Sequence, residues 1–591
     1  MRIPPIAIAV GWMLTAVAAA DRPIQDRSPV DLAFTADGKW LVTANQTSGT
    51  ATLIDVARQR VAAEIEVGEY PVSVVAGGEP DQVWMSCRDS GTVVRLAIED
   101  GKLTKMQTRT VGYHPWGLVW NPQRGSLWVA QRAAGRVVEL DGDSGEVVRT
   151  IEVGNWPERL AISPAGSHLA VTLAGEQGIA IIDLDRGRVQ KRSFRALNQG
   201  QPMFSADGSE VWLPWMMYRA FPINATNIRR GWIWGSRMGR IPLDDSGTRR
   251  ILTLDQRGRA VADPCDMTWV GDGRQWVMTA GGTHELLWFR RKRLPWRDYA
   301  GTDHMDPRLI PDQTRFRRIA LGGRPQGIAA APGSTTVYVA NYLRNSVQVV
   351  DLREFRVGHE IDLGGPREPS PARRGAAIFY DATRSLDQWY SCHTCHQDGG
   401  TNAVATDTLN DGSPRTFKTI LPLYDLPRTG PWTWHGWQTD LRGAMTKSLT
   451  STMLGTPPSE KEIDALLSFF DQLKRPVNPF AVDDSRDRLA IARGRKIFFG
   501  SAAGCADCHS GPHYTDGEIH DVGSGAASDR YPGYNTPSLR GAALRLRLMH
   551  DGRAASLDAL LRKYHRPQDV SGSPGLSEAQ RKDLIEFLKT L

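Results

Sequence analysis

The chain has 591 residues, of which 41% are hydrophobic and 23% charged. That is the profile of a globular protein too long for one core, with roughly two to four domains expected. The net charge of +7 gives a mildly basic surface that would attract an acidic partner. The densest basic run, Arg290 to Arg293, reads as a solvated loop, and no basic and aromatic constellation points to nucleic acid.

Arg2 followed by the apolar stretch Ile6 to Val17 and by Ala18, Ala19 and Ala20 reads as an export signal over residues 1–20, with the mature chain starting near Asp21. The segment is short for a membrane span. Cys87 and Cys265 fit either a disulfide of an oxidising compartment or two buried thiols.

Residues 21–365 repeat with a period suited to a propeller blade. The marker is a turn of the form Gly-x-x-Pro before an apolar strand, at Gly68 to Pro71, Gly112 to Pro115, Gly154 to Pro157 and Gly322 to Pro325. Weaker copies start at Pro29, Pro202 and Pro264. The first four intervals between these prolines run from 42 to 45 residues and the last two are 62 and 61. The pattern predicts a seven-bladed, all-β propeller with insertions in the fifth and sixth blades. These repeats resemble the YVTN-type β-propeller family, which implies architecture and leaves function open. The insertions, Trp215 to Trp234 and Trp296 to Arg318 (with His304 and Met305), are expected to glue the propeller to the C-terminal third of the chain, or to form a lid.

A proline-rich linker from Gly365 to Pro371 marks a boundary. Two helical units follow, at 370–475 and 486–591. Helices are expected over 372–379, 461–473, 489–499, 557–564 and 578–588. Each unit carries C-x-x-C-H: Cys392, Cys395 and His396 in the first, Cys505, Cys508 and His509 in the second. This is the attachment signature of a c-type haem. The two thiols form thioethers to the haem vinyls and the histidine ligates the iron. Two covalently bound haems c are therefore expected, and their attachment outside the cytoplasm agrees with export to the periplasm.

Arg374 and Gly375 before the first motif, Arg493 and Gly494 before the second, the stretch Ser510 to Asp516, and the segments Thr536 to Arg540 and Met549 to Gly552 resemble the bacterial di-haem cytochrome c peroxidases. The likeness spans about residues 370 to 591 and includes the enzyme that matures the tryptophylquinone of methylamine dehydrogenase. The resemblance implies a peroxide-reactive first haem and an electron-storing second haem. It implies that Trp434 relays electrons between them, with Trp432 and Trp437 as neighbours that could serve instead. It implies Tyr564, fourteen residues after His550, as distal ligand to the second iron; His565 is adjacent and is the other candidate. The histidine that closes the first site in such peroxidases is replaced by Gly412, so the first iron is expected to be open. His435 is a candidate acid/base there, or a neighbour of the relay. Ala444 and Met453 stand where the family's distal glutamine and glutamate are expected, which argues against efficient classical peroxidase chemistry. Thr416, Arg545 and Arg547 make a poor calcium site, although carbonyl ligands could still hold the ion. The expected partners are a small redox protein, such as a c-type cytochrome or a cupredoxin, and peroxide or another small oxidant. Two further readings are maturation-type oxidation of a protein or organic substrate, and a non-catalytic electron carrier whose propeller binds a partner.

Overall fold

The structure is a computed structural model that describes residues 25–591 except 245, 246, 300, 484 and 502. The export signal expected at residues 1–20 lies outside them. Seven antiparallel sheets follow one another along the chain between Pro29 and Asp362. The strand Pro29–Phe34 packs beside Pro325–Ala330, which closes the ring. Six of the seven sheets open on a proline that the repeat marks: Pro29, Pro71, Pro115, Pro157, Pro264 and Pro325. Each stands first in a strand at the edge of its sheet, where a residue without an N–H leaves no ladder bond unmade. The fifth sheet starts earlier, at Ala196, and the strand Met203–Phe204 follows Pro202.

Both insertions are accounted for. The long strands Glu210–Tyr218 and Trp234–Pro242 project from the fifth sheet and are joined through a short helix, Ala225–Arg229. The sixth insertion sends Arg297–Asp298 back to pair with Arg250–Thr253 of the fifth sheet. Tyr218, Ile223, Ile228 and Trp234 of the fifth insertion share a hydrophobic cluster with Phe379, Tyr390 and Leu466 of the haem-bearing part. This insertion therefore cements propeller to haem unit, and Met305 of the other is buried in the propeller's own core. Cys87 and Cys265 are separate free thiols.

The residues just before the marker prolines build the docking face. Ser28, Tyr70, His114, Trp156 and Asp263 all take positive φ there. Four of these five touch the C-terminal part. Ser28 Oγ accepts from Arg373 Nη1 at 2.9 Å. His114 Nε2 meets Val477 O at 2.6 Å. Trp156 packs near Ala403 and Leu546. Asp263 accepts from Ser391 and Thr394. Arg324, before Pro325, adds an ion pair with Asp398 at 3.3 Å. The repeat thus places an anchoring side chain from each of five blades on the same face.

In the C-terminal part the same helix crossing occurs twice. Pro371–Phe379 packs on Glu460–Gln472, and Arg488–Phe499 on Glu578–Leu588. Gly375 and Gly494 sit at the two crossings. A Cβ on either would come within 2.0 Å of a carbonyl, Ala465 O or Asp583 O. The Arg-Gly dipeptides are therefore fixed by packing, since only glycine lets the backbones approach so closely. No helix among the described residues is long and apolar enough to cross a membrane.

Candidate functional site

The first C-x-x-C-H forms a short helix, Cys392–Cys395, whose N-cap Ser391 and N3 residue Thr394 satisfy each other's backbone N–H. Asp263 of the propeller completes this turn, accepting from Ser391 Oγ at 2.9 Å and Thr394 Oγ1 at 2.8 Å. Asn198 donates to Thr394 O at 2.9 Å. The second motif follows Gly504 at φ 62° as a single 3₁₀ turn, Cys505–Asp507, and has no such brace among the described residues.

Each motif opens onto its own cavity. One of about 380 Å³ is bordered by Cys392, Cys395 and His396. The other, of about 170 Å³, is bordered by Cys505, Cys508 and His509. His396 Nδ1 lies 2.9 Å from Leu421 O and His509 Nδ1 lies 3.1 Å from Tyr514 O. A carbonyl on Nδ1 fixes the tautomer that leaves Nε2 as a metal ligand. Burial pushes both histidines down to about 4, so both are neutral near pH 7, as ligation requires. Paired thiols, a neutral imidazole and a largely apolar chamber fit a covalently held haem at each motif.

The two cavities differ on the side facing the histidine. In the smaller one the His565 ring lies 6.4 Å from that of His509, centroid to centroid, at 77°. Two imidazoles sharing one iron would stand about 6 Å apart, from two metal–nitrogen bonds of about 2 Å and the ring radii. Tyr564 does not border this cavity. Its ring is 5.1 Å from Lys563 Nζ. The reason is a π-helical turn, Leu560–Tyr564, closed by His565 N donating to Leu560 O at 2.9 Å. Such a turn inserts one residue and brings His565 onto the face of Leu557, Leu560 and Leu561, which line the cavity. Of the two candidates for the distal position, His565 borders the cavity and Tyr564 does not.

The larger cavity has more than twice the volume of the smaller. Ala444 and Met453, which the resemblance placed at the distal positions, border it. Met453 Sδ lies 3.8 Å from Cys392 Sγ. His435 borders the cavity; its Nδ1 meets Gly533 O at 2.7 Å, which leaves Nε2 the unprotonated nitrogen, buried without a hydrogen-bond partner 3.8 Å from Asp529 Oδ1. That geometry suits a neighbour of the relay better than a proton donor.

Trp434 borders both cavities, as do Thr419, Asn535, Thr536, Pro537 and Arg545. Its Nε1 donates to Thr419 O at 2.7 Å, which pins the ring in the dividing wall. Trp432 and Trp437 border the larger cavity only. Sequence reasoning missed the stack beside Trp434. His435 lies 4.6 Å from Tyr534, Tyr534 4.2 Å from His550, and His550 6.3 Å from Trp434. Asp529 anchors it, pairing with Lys418 and accepting from Tyr534 Oη, both at 2.6 Å. Burial opposes the Asp529 charge, but the Ala526 amide, Lys418 and Tyr534 outweigh it and hold the carboxyl well below its usual range. Burial, reinforced by Asp529, pushes the Tyr534 phenol up and keeps it protonated.

The expected calcium position fares poorly. The dividing wall carries the guanidinium of Arg545, and a fixed positive charge repels a divalent cation. Cys508, Asp516 and His520 cluster closely enough to share a cation, but thioether formation would remove the Cys508 thiolate.

Fold and site together describe a seven-bladed propeller followed by a helical part that is similar to the bacterial di-haem cytochrome c peroxidases, and the general class is a haem-dependent oxidoreductase. The C-terminal part is 26% identical over 280 residues to the methylamine utilization protein MauG of Methylorubrum extorquens, covering 38% of this chain and 79% of that one. Over 291 residues it is 27% identical to the gamma subunit of hydrazine synthase from Kuenenia stuttgartiensis, covering 40% and 80%. Cytochrome c551 peroxidase of Nitrosomonas europaea is 23% identical over 287 residues, covering 38% and 81%. No protein-family model matches the chain.

Proposed function

We propose that the protein is an exported, periplasmic oxidoreductase with two haems c, peroxide-reactive at the His396 site and electron-storing at the His509 site. When bound, the haems supply the irons that exchange electrons and, at the open site, meet a small oxidant. The observation that carries the reading is Trp434, fixed to Thr419 O and bordering both cavities. An aromatic ring there shortens the gap an electron must cross. His565 opposes His509 and closes the second site. The first site keeps space beyond what the second has.

The residues around the first cavity limit the chemistry. Ala444 and Met453 hold no exchangeable proton, and the Tyr390 hydroxyl is committed to Thr452 O. A missing acid/base typically costs about 10²- to 10⁴-fold in rate, so peroxide turnover is slow. This favours a specialised oxidation of a protein or organic substrate over bulk peroxide removal. The reducing partner would be a small c-type cytochrome or cupredoxin. Peroxide titration of the ferric protein, followed by turnover with reduced cytochrome c, tests the reading. A spectral change with slow turnover is expected. Fast electron exchange with a spectrum indifferent to peroxide would make the protein an electron carrier instead.

A further inference from the structure

Arg545 is placed unlike any other cation described in the molecule. It borders both motif cavities and also a third, of about 90 Å³, between the propeller and the C-terminal part. Among the described residues it alone lines all three. Its partial exposure is therefore to these chambers. Nη2 donates to Ser538 O at 2.9 Å, and Nε is buried with no partner.

The cations around it are already neutralised. Arg475 pairs with Asp425 at 2.9 Å, Arg132 with Glu158 at 2.8 Å, and Arg88 with Asp89 at 2.6 Å. No described carboxylate lies within ion-pairing distance of Arg545. Burial, with Arg475 adding to it, pushes its guanidinium down to about 10, still charged at pH 7. A buried cation without a counter-ion is costly, and a fork of N–H donors matches a carboxylate.

We propose that Arg545 is a shared anchor for haem propionates, one carboxylate from each haem meeting its guanidinium in the dividing wall. The inference rests on the two-haem reading above. It makes Arg545 a positioning residue that ties the two potentials to one charge. Removing a positive charge beside a haem favours the ferric form, so both potentials should fall together.

The test is spectroelectrochemical titration of wild type, Arg545→Lys and Arg545→Gln, with haem content measured first. A wild type that holds fewer than two haems refutes the two-haem reading itself. With both haems loaded, R545Q should lower both midpoint potentials and R545K should lower them less. The propionate bending modes in resonance Raman spectra should shift in R545Q, a readout that checks the contact even if its stability falls. Unchanged potentials and modes, or a change at one haem only, would overturn the shared anchor. A wild-type potential that depends on added acetate or nitrate, and loses that dependence in R545Q, would also overturn it by identifying the occupant as a free anion.

Discussion

Asp263→Asn isolates the brace between propeller and first motif. Asp263 accepts both hydroxyl protons, from Ser391 and from Thr394, while those hydroxyl oxygens also receive the backbone N–H of Thr394 and Ser391 at 3.3 and 3.0 Å. Ser391 and Thr394 are 1% and 0% exposed, so neither has water as a substitute. Asparagine keeps the positive φ and one oxygen, but its NH₂ confronts the other hydroxyl. One buried proton loses its acceptor, at a cost of about 2 kcal/mol. Local opening of the turn should then be roughly 30-fold more frequent, at 1.4 kcal/mol per tenfold. Hydrogen exchange of the haem-loaded protein, read by mass spectrometry on a peptide containing residues 391–396, measures this directly. Asp263→Ala should be worse, since it loses both acceptors and adds strain at positive φ. Exchange in D263N within about threefold of wild type would refute the reasoning, because a hydrogen bond worth about 1 kcal/mol or more cannot vanish so quietly.

Trp434→Phe removes the bond to Thr419 O and shrinks the ring in the wall. Electron equilibration between the haems after partial reduction should slow by an order of magnitude or more in stopped-flow traces, and an unchanged rate would exclude Trp434 from the path. His114 gives a pH dependence. Burial first, and then Arg88, lower it from 6.5 to about 4, so the fold favours neutral imidazole and the unfolded chain takes up the proton. Stability from this group is complete above about pH 6.5 and is lost as pH falls towards 4, by about 3 kcal/mol. The opening constant around Val477, taken from hydrogen exchange after division by the intrinsic rate at each pH, should rise over that window in wild type and rise less in His114→Asn; equal slopes would contradict the assignment.

Much of the architecture was legible because it is written locally. The marker prolines, four of them in Gly-x-x-Pro turns, announce six of the seven sheets at the residue where each begins. The fifth was harder, since its insertion lengthens two strands and its first short strand precedes Pro202. The haem motifs were legible because covalent attachment demands a fixed spacing. The second function of the repeat was not legible. Asp263 meets Ser391 across 128 residues, and His114 meets Val477 across 363; no local period carries such pairings. The sequence offered both Tyr564 and His565, and could not rank them as the fold does. A π turn adds one residue to the helix register, and residue counting assumes an unbroken helix. Arg545 was visible as a poor calcium residue, but only the fold puts it where three cavities meet.

The central claim is that the two C-x-x-C-H motifs hold unequal irons: His509 opposed by His565, and His396 facing open space. EPR of the fully ferric protein, beside Tyr564→Phe and His565→Ala, tests it most directly. The account predicts one low-spin bis-imidazole signal and one high-spin signal in wild type and in Y564F, with the low-spin signal lost in H565A. Two low-spin signals in wild type, or a low-spin signal that survives in H565A and disappears in Y564F, would contradict it.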